Sequence, residues 1–193
     1  PSAIYRGHKA DLYEGGHRVP FIVRWPAKIK GGQQSKVTAC LTDFYATMRD
    51  ITKQATIDNG GEDSVSLVPA FEGKSQTDRD YLISHSINGS FAIRQGKWKL
   101  LMCPGSGGWS APRPRTAWKD QNLHPVQLFD LDADPAEKNN LAQKQPEKVK
   151  SLMVLLKTAI KNGRSTPGKA QQNDGNIPAF HQRIIEAYPA FAE

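Results

Sequence analysis

The sequence predicts a mixed α/β (α+β) chain that ends in a small antiparallel sheet of four strands and one helix. Three observations predict it. Short apolar stretches at Tyr81–His85, Phe91–Leu101 and Val126–Leu131 are bounded by polar turns. Gln95-Gly96 marks a hairpin turn or a bulge in the second of them, and as a hairpin turn it brings the strand number to four. From about Pro146 to Lys161, Leu152, Leu155, Leu156 and Ile160 recur at helical spacing, and Gly163 stops the helix.

The other elements follow in chain order. Residues 1–35 read as loop, paired-glycine turn at Gly15-Gly16, strand at Phe21-Ile22-Val23, then loop. Glycines permit backbone angles that a Cβ resists, and Pro20 restricts Val19 to an extended approach to the strand. Val37 to Ile51 reads as a short extended piece and then a helix, with Thr42 as its cap and Asp43 in its first turn. Phe44, Met48 and Ile51 share a helical face and are expected to point to the core. Gly60-Gly61 opens a turn, and Asp134-Pro135 ends the last strand in another. Residues 163–176, rich in Gly, Gln, Asn, Ser and Pro, read as flexible. Pro178 to Phe191 reads as a short amphipathic helix with proline in its first turn.

With 193 residues, the chain suits one ordinary domain or two small ones. No apolar run approaches a membrane span, so no membrane partner is expected. The chain opens on Pro1-Ser2-Ala3, with no leader and no initiator Met, and is read as a fragment or a processed piece. A formal charge of +7 suits anionic partners such as sulfated sugars or nucleic acid. The Lys and Arg residues are spread out, without zinc-finger spacing or an RNA-binding aromatic pattern, so nucleic acid is not expected. Cys40 and Cys103 could form one disulfide, although two separate buried thiols are the common case. His8, His17, His124 and His181 lack metal-ligand spacing and read as structural or solvated.

Lys9 stands five residues before Glu14-Gly15-Gly16, then Arg18-Val19-Pro20, Phe21-Ile22-Val23 and Trp25-Pro26. This block resembles the sulfatase family, the sulfate-ester hydrolases of the alkaline-phosphatase superfamily. Thr42-Asp43-Phe44-Tyr45-Ala46-Thr47 is similar to a helix of that family, and Ser66-Leu67-Val68-Pro69 to Gly73 to its Ser-Leu-x-Pro-x-x-x-Gly segment. The resemblance runs from about Tyr5 to Gly168. It implies that residues 1–78 are the C-terminal part of an alkaline-phosphatase-like α/β domain and that 79–163 form a small sheet-plus-helix subdomain; by composition, 164–193 read as a polar flexible tail that could hold a short helix.

The resemblance makes Lys9 the catalytic candidate, contacting the sulfate group. A fixed ammonium stabilises the charge that grows on the bridging oxygen as the S–O bond breaks. Alone, Lys9 would read as a solvated surface lysine. Glu14, Gly15, Gly16, Arg18 and Pro20 form the structural motif around it, with Glu14 and Arg18 able to pair. The family also implies a periplasmic or extracellular location, a calcium ion held by Asp and Asn oxygens, and a nucleophile made by oxidising Cys or Ser to formylglycine in a Cys/Ser-x-Pro/Ala-x-Arg motif. Cys40 continues as Leu41-Thr42-Asp43 and Cys103 as Pro104-Gly105-Ser106, so neither thiol fits. The chain is expected to hold neither the nucleophile nor the metal ligands, which lie upstream in the family, and to be inactive alone.

Two further places could touch a sulfated carbohydrate. His85 opens the polar stretch Ser86-Ile87-Asn88-Gly89-Ser90 at a strand end, and could bond a sugar hydroxyl or sulfate; it reads equally as a loop histidine. Residues 103–115 hold three glycines, Trp109 as a face for a sugar ring, and Arg113 and Arg115 for anionic groups. The glycines suggest a mobile specificity loop; the plain alternative is a solvent loop whose Trp packs on the subdomain. Two rival functions remain: a non-catalytic basic module for sulfated glycans, and a piece of a related phosphatase or phosphonate-ester hydrolase.

Overall fold

The expected strands form a single sheet in the computed structural model, which describes residues 3–75, 77–175 and 180–191. The strands β1 (Leu82–His85), β2 (Phe91–Gln95), β3 (Trp98–Leu101) and β4 (Gln127–Asp130) lie side by side in chain order. β2 and β3 form an antiparallel hairpin across Gly96-Lys97, and β3 pairs antiparallel with β4. The turn 86–90 closes on a bond from Ser86 N to Ser90 O, 3.0 Å. It is far too short for the crossover that a parallel β1–β2 pair needs.

Alternation gives the sheet two distinct faces. Ile93, Leu100 and Leu128 stand opposite one another on one face and are fully buried. The other face carries Ala92, Leu101 and Phe129, which cluster with Leu12, Tyr13, Cys103 and Leu131. The Lys9 block therefore lies on the sheet. Its Glu14–His17 stretch is a single helical turn, α1. Tyr13 Oη donates to Gln127 Oε1 on β4 at 2.9 Å, and burial pushes the phenol up to about 12.

Lys99 falls on this same face in a central strand and is only 2% exposed. An ammonium buried there must be paired. Its Nζ lies 2.9 Å from Glu14 Oε1 and 3.0 Å from Glu137 Oε1. Glu14 N donates to Glu137 Oε2 at 2.6 Å, which ties the Glu137 carboxylate to the backbone of α1. Arg18 Nη1 reaches Glu14 Oε2 at 3.2 Å, the pairing expected from the sequence, and Arg94 stands 3.6 Å from the same oxygen. Burial works against the charge on Glu14, but His17 and Lys99 overcome it and hold this carboxyl below its ordinary range. Glu137 shares the same cation, and burial pushes it upward.

Helix α2 (Asp43–Ile51) begins where expected, but Thr42 does not cap it. Ser64 Oγ accepts from Ala46 N of its first turn at 2.8 Å, while Asp43 accepts from Cys40 N at 2.8 Å and Val65 N at 3.0 Å and pairs with the buried Arg79 guanidinium. Thr42 Oγ1 donates to Asp63 O. The buried face is Asp43, Ala46 and Thr47, so the expected core face is corrected. Phe44 is 57% exposed and Met48 37%. With Ile51, Phe71 and the 21–25 stretch they line an open depression of about 370 Å³. The strand expected at Phe21-Ile22-Val23 does not form either. No described element pairs with it, and Ile22 is 90% exposed. Cys40 and Cys103 are both free, and only Cys103 is buried.

By contacts, residues 1–19, 83–158 and 176–193 form one unit, and 20–82 with 159–175 a second. A one-turn helix, α3 (Val68–Phe71), lies in the second. Residues 164–175, expected to be flexible, are bonded to their surroundings. Arg164 donates to the carbonyls of Asp58, Thr166, Pro167 and Lys169, and Gln171 N to Asn162 O. Helix α5 (Pro146–Asn162) buries Val149, Leu152, Met153 and Leu156 on one face, and Gly163 takes φ +61° just past its end. A one-turn helix, α4 (Pro114–Ala117), precedes β4. The C-terminal helix α6 covers Gln182–Ala187, while the proline expected in its first turn, Pro178, lies outside the described residues.

The buried ion cluster yields a stability prediction. Lys99→Met keeps the stem but leaves Glu14 and Glu137 without their shared cation. Urea denaturation should show a loss of about 3–5 kcal/mol. A variant within about 0.5 kcal/mol of the parent would show that the arginines alone hold Glu14.

Candidate functional site

The site is organised by a carboxylate that composition does not reveal. Asp11 is 3% exposed. Its Oδ1 accepts from Trp109 N at 2.7 Å and Ser110 N at 3.0 Å. Its Oδ2 accepts from His8 N at 2.9 Å and from Ser110 Oγ. Burial opposes the ionised form, yet these bonds outweigh it and hold the carboxyl below its ordinary value. One side chain thus fixes the turn 8–11 to the loop 106–110.

Backbone contacts extend the junction. Leu12 N donates to Ser106 O at 2.9 Å, and Ile87 N to Ala10 O at 3.1 Å. Asn88 Nδ2 donates to Gly107 O at 3.2 Å. Ala10 sits at φ +87°, in the region that favours glycine, so the surrounding bonds impose that shape on the turn carrying Lys9. Gly108 is needed for space: a Cβ there would lie 2.3 Å from Ala10 O. At Gly16 it would lie 2.2 Å from Asp11 O. Gly16 therefore serves close approach within a helical turn, and neither glycine takes a positive φ, a correction to the unusual angles expected at Gly15-Gly16.

The sequence-predicted residues take the following places. Lys9 is exposed and bonds no other described residue. Trp109, in the loop fastened to its turn, is 48% exposed. Arg113 is exposed, and its Nε donates to Trp109 O at 3.0 Å. His85 is exposed at the end of β1, with its ring edge-on to Phe91 at 4.2 Å between centroids. The 86–90 turn that follows it meets both loops through the Ile87 and Asn88 bonds. Three places read separately from the sequence therefore converge. Glu14, Gly16 and Arg18 lie beneath, in and beside α1, whereas Pro20 is exposed. The 103–108 stretch is buried throughout, which corrects the mobile loop expected from its glycines; Trp109 and Arg113 stand at its outer edge.

Asp11, Ser110 and His8 were missed. Asp11 is an unremarked acid two residues past Lys9, and nothing in one sequence links it to a serine 99 positions away. His8 was set aside as structural or solvated, yet its Nδ1 lies 2.6 Å from Ser110 Oγ.

Neither the metal nor the nucleophile finds a seat here. Among the described residues no group of three or more His, Cys, Asp or Glu could hold a metal ion. The acids at the site, Asp11 and Glu14, already accept from the partners named above. The residues present at the site do not fit calcium. Burial pushes the Cys103 thiol up to about 12, far from a thiolate at neutral pH. One literal match to the nucleophile spacing, Ser90-Phe91-Ala92-Ile93-Arg94, escapes the sequence reading. It runs into β2, where Ser90 N donates to Ser86 Oγ, Ser90 bonds the Cys103 thiol, and Arg94 is engaged by Gly96 O and Glu14. These are the contacts of a strand in a sheet.

No family model matches the chain. It is 37% identical over 161 residues to an N-acetylgalactosamine-6-O-sulfatase of Bacteroides thetaiotaomicron, covering 82% of this chain and 30% of that protein. A solved Bacteroides thetaiotaomicron sulfatase, described for glycosaminoglycan metabolism, superposes with a TM-score of 0.68 at 35% identity, over 81% of this chain and 32% of the other. A protein solved with its substrate D-glucosamine-2-N,6-O-disulfate gives a TM-score of 0.51 at 25% identity, over 72% and 27%. The chain belongs to the sulfatase family and corresponds to a C-terminal portion of those enzymes. It spans about a third of the length of the relatives it matches.

The Asp11 junction has a definite pH response. Its folded pKa lies below the unfolded value of about 3.9. Its stabilising contribution is therefore present above that value and lost as the pH falls through the folded one. The amides of Trp109 and Ser110 should keep their protection from hydrogen exchange from neutrality to about pH 5 and lose it in stronger acid. Asp11→Ala, which removes the acceptor, should expose them at every pH; unchanged protection in that variant would mean that the backbone bonds alone hold the loops together.

Proposed function

We propose that this chain is the C-terminal portion of an arylsulfatase-like enzyme that hydrolyses sulfate esters of carbohydrates, in the periplasm or outside the cell. One observation carries the reading: in a sulfatase-family chain, Asp11 fastens the turn bearing Lys9 to the loop bearing Trp109, with the 85–90 turn bonded to both. Lys9 meets the sulfate group. Its ammonium has no partner among the described residues, so it is available to an oxygen that gains charge as the ester bond breaks. Trp109 and Arg113, with His85, shape the leaving-group side, where an aromatic face suits a sugar ring and a guanidinium suits an anionic substituent. Formylglycine, when present, supplies the attacking oxygen, and the contacts of Ser90 and Cys103 fit neither of them for that role. The site crosses the sequence division at residue 78, because Lys9 and Trp109 lie on either side of it.

Three measurements test this reading. The chain alone should turn over no aryl sulfate; activity that survives repurification and disappears in Ser90→Ala would overturn the structural reading of the Ser90 match. In a longer form that is active, Lys9→Ala should fold normally and lower kcat/KM by about 10²–10³, the usual loss for one preorganised charge-stabilising group. Near-parental kcat/KM would remove Lys9 from contact with substrate. In the same form, Trp109→Ala should weaken a sulfated sugar by about 1–3 kcal/mol, the scale of a stacking contact, and a small aryl sulfate by much less. Equal losses on both substrates would assign Trp109 to folding instead.

A further inference from the structure

His8 precedes Lys9 directly, and its side chain is 58% exposed. Its orientation is nevertheless determined. Ser110 Oγ lies against Asp11 Oδ2 and 2.6 Å from His8 Nδ1. A serine hydroxyl has a single hydrogen. The Asp11 carboxylate, ionised under its several donors, can only accept, so that hydrogen belongs to the Ser110–Asp11 bond. The short contact on the other side of Ser110 Oγ then needs a hydrogen from the ring. His8 Nδ1 is the donor, and in the neutral ring Nε2 keeps the lone pair. A buried anion thus sets the tautomer of an exposed imidazole through one serine, beside a lysine that bonds no other described residue.

We propose that His8 is a specificity-determining residue: its Nε2 accepts a hydrogen bond from a hydroxyl of the sulfated sugar whose sulfate group lies on Lys9. This rests on the sulfate-ester reading of the site. An accepting Nε2 does not favour sulfate oxygens, which are themselves acceptors. It favours a hydroxyl, and so separates a saccharide from an aryl or alkyl sulfate. Where Trp109 offers a face to any ring, His8 requires a donor on that ring. Ser110 and Asp11 are positioning residues, acting through the imidazole.

The test has two arms on this chain. The first is the two-bond ¹H–¹⁵N spectrum of ¹⁵N-histidine-labelled protein above pH 8, which reads the tautomer without any ligand. His8 should carry its hydrogen on Nδ1 and lose that bias in Ser110→Ala. A dominant Nε2–H form in the parent overturns the proposal. The second arm measures binding of N-acetylgalactosamine 6-O-sulfate and of the same sulfated sugar with its free hydroxyls methylated. His8→Ala and His8→Asn should weaken the first probe about three- to tenfold, the scale of one hydrogen bond, and leave the second unchanged. Asparagine can still reach Ser110 but has no Nε2, so unshifted Trp109 and Ser110 amides in His8→Asn show that the loss is not loop damage. Lys9→Ala should weaken both probes. If Lys9→Ala weakens both while the His8 variants change neither, the His8 assignment fails and the sulfate reading stands. If the parent binds neither probe, or Lys9→Ala changes neither, both readings fail.

Discussion

The buried Lys99 ammonium is the constraint on which the rest depends. It lies in a central strand, on the face where Leu101, Ala92 and Phe129 leave no water. A cation there is tolerable only if carboxylates come to it. Glu14 and Glu137 come from segments 123 residues apart, and each is held by the other's position, through the bond from Glu14 N to Glu137 Oε2. That arrangement fixes α1 on the sheet. Leu12 and Tyr13 then fill the apolar part of the same face. Dispersion and transfer from water give this contact its strength, but they are not directional. The ion cluster gives it register, because a shift of one residue along the strand would put a different side chain opposite Glu14.

A second buried carboxylate does for the loops what Glu14 does for the helix turn. Asp11 is three residues earlier, on the part of the segment that has left the sheet, and it gathers backbone donors rather than a cation. The difference matters for function. A lysine answering Asp11 would compete with the ligand for charge. Three backbone N–H groups and the Ser110 hydroxyl answer it, and Lys9 and Arg113 stay exposed. A strained residue at Ala10 and three glycines in 105–108, two of them without room for a Cβ and one at positive φ, are what such a tight junction costs in sequence.

Local patterns in the sequence were sufficient for the sheet. The short apolar stretches, the Gln95-Gly96 break and the glycine past α5 each act over a few residues, and each formed where expected. Helix α2 shows the limit. Its period was legible, but which stripe is buried depends on what lies across from it. Asp43 and Thr47 were drawn inward by Arg79, Val65 and Leu67, leaving Phe44 and Met48 outward. The Phe21-Ile22-Val23 stretch shows the same limit, since a strand exists only with a neighbour to bond. In the site, Lys9, Trp109 and Arg113 could be named from chemistry and resemblance. Asp11, Ser110 and His8 could not, because their importance is a contact across about a hundred positions and carries no local signature.

The Ser90 match carries the same lesson in the opposite direction. Ser90, Ala92 and Arg94 have the residue types and the spacing of a nucleophile motif, and in a strand that spacing sets alternate residues on one face. On this face they meet Cys103, the apolar cluster and Glu14, so the arginine completes an ion cluster and the serine bonds an inert thiol. Lys9 is only one lysine among many by residue type, and it gains meaning from the turn that holds it. A motif states which groups are available. The elements on which those groups sit decide whether they face a ligand or one another. Here the sheet consumes Lys99, Arg94 and Glu14 for its own cohesion. The turn tied down by Asp11 leaves Lys9 outward, and that contrast between spent and available charge supports the proposed site.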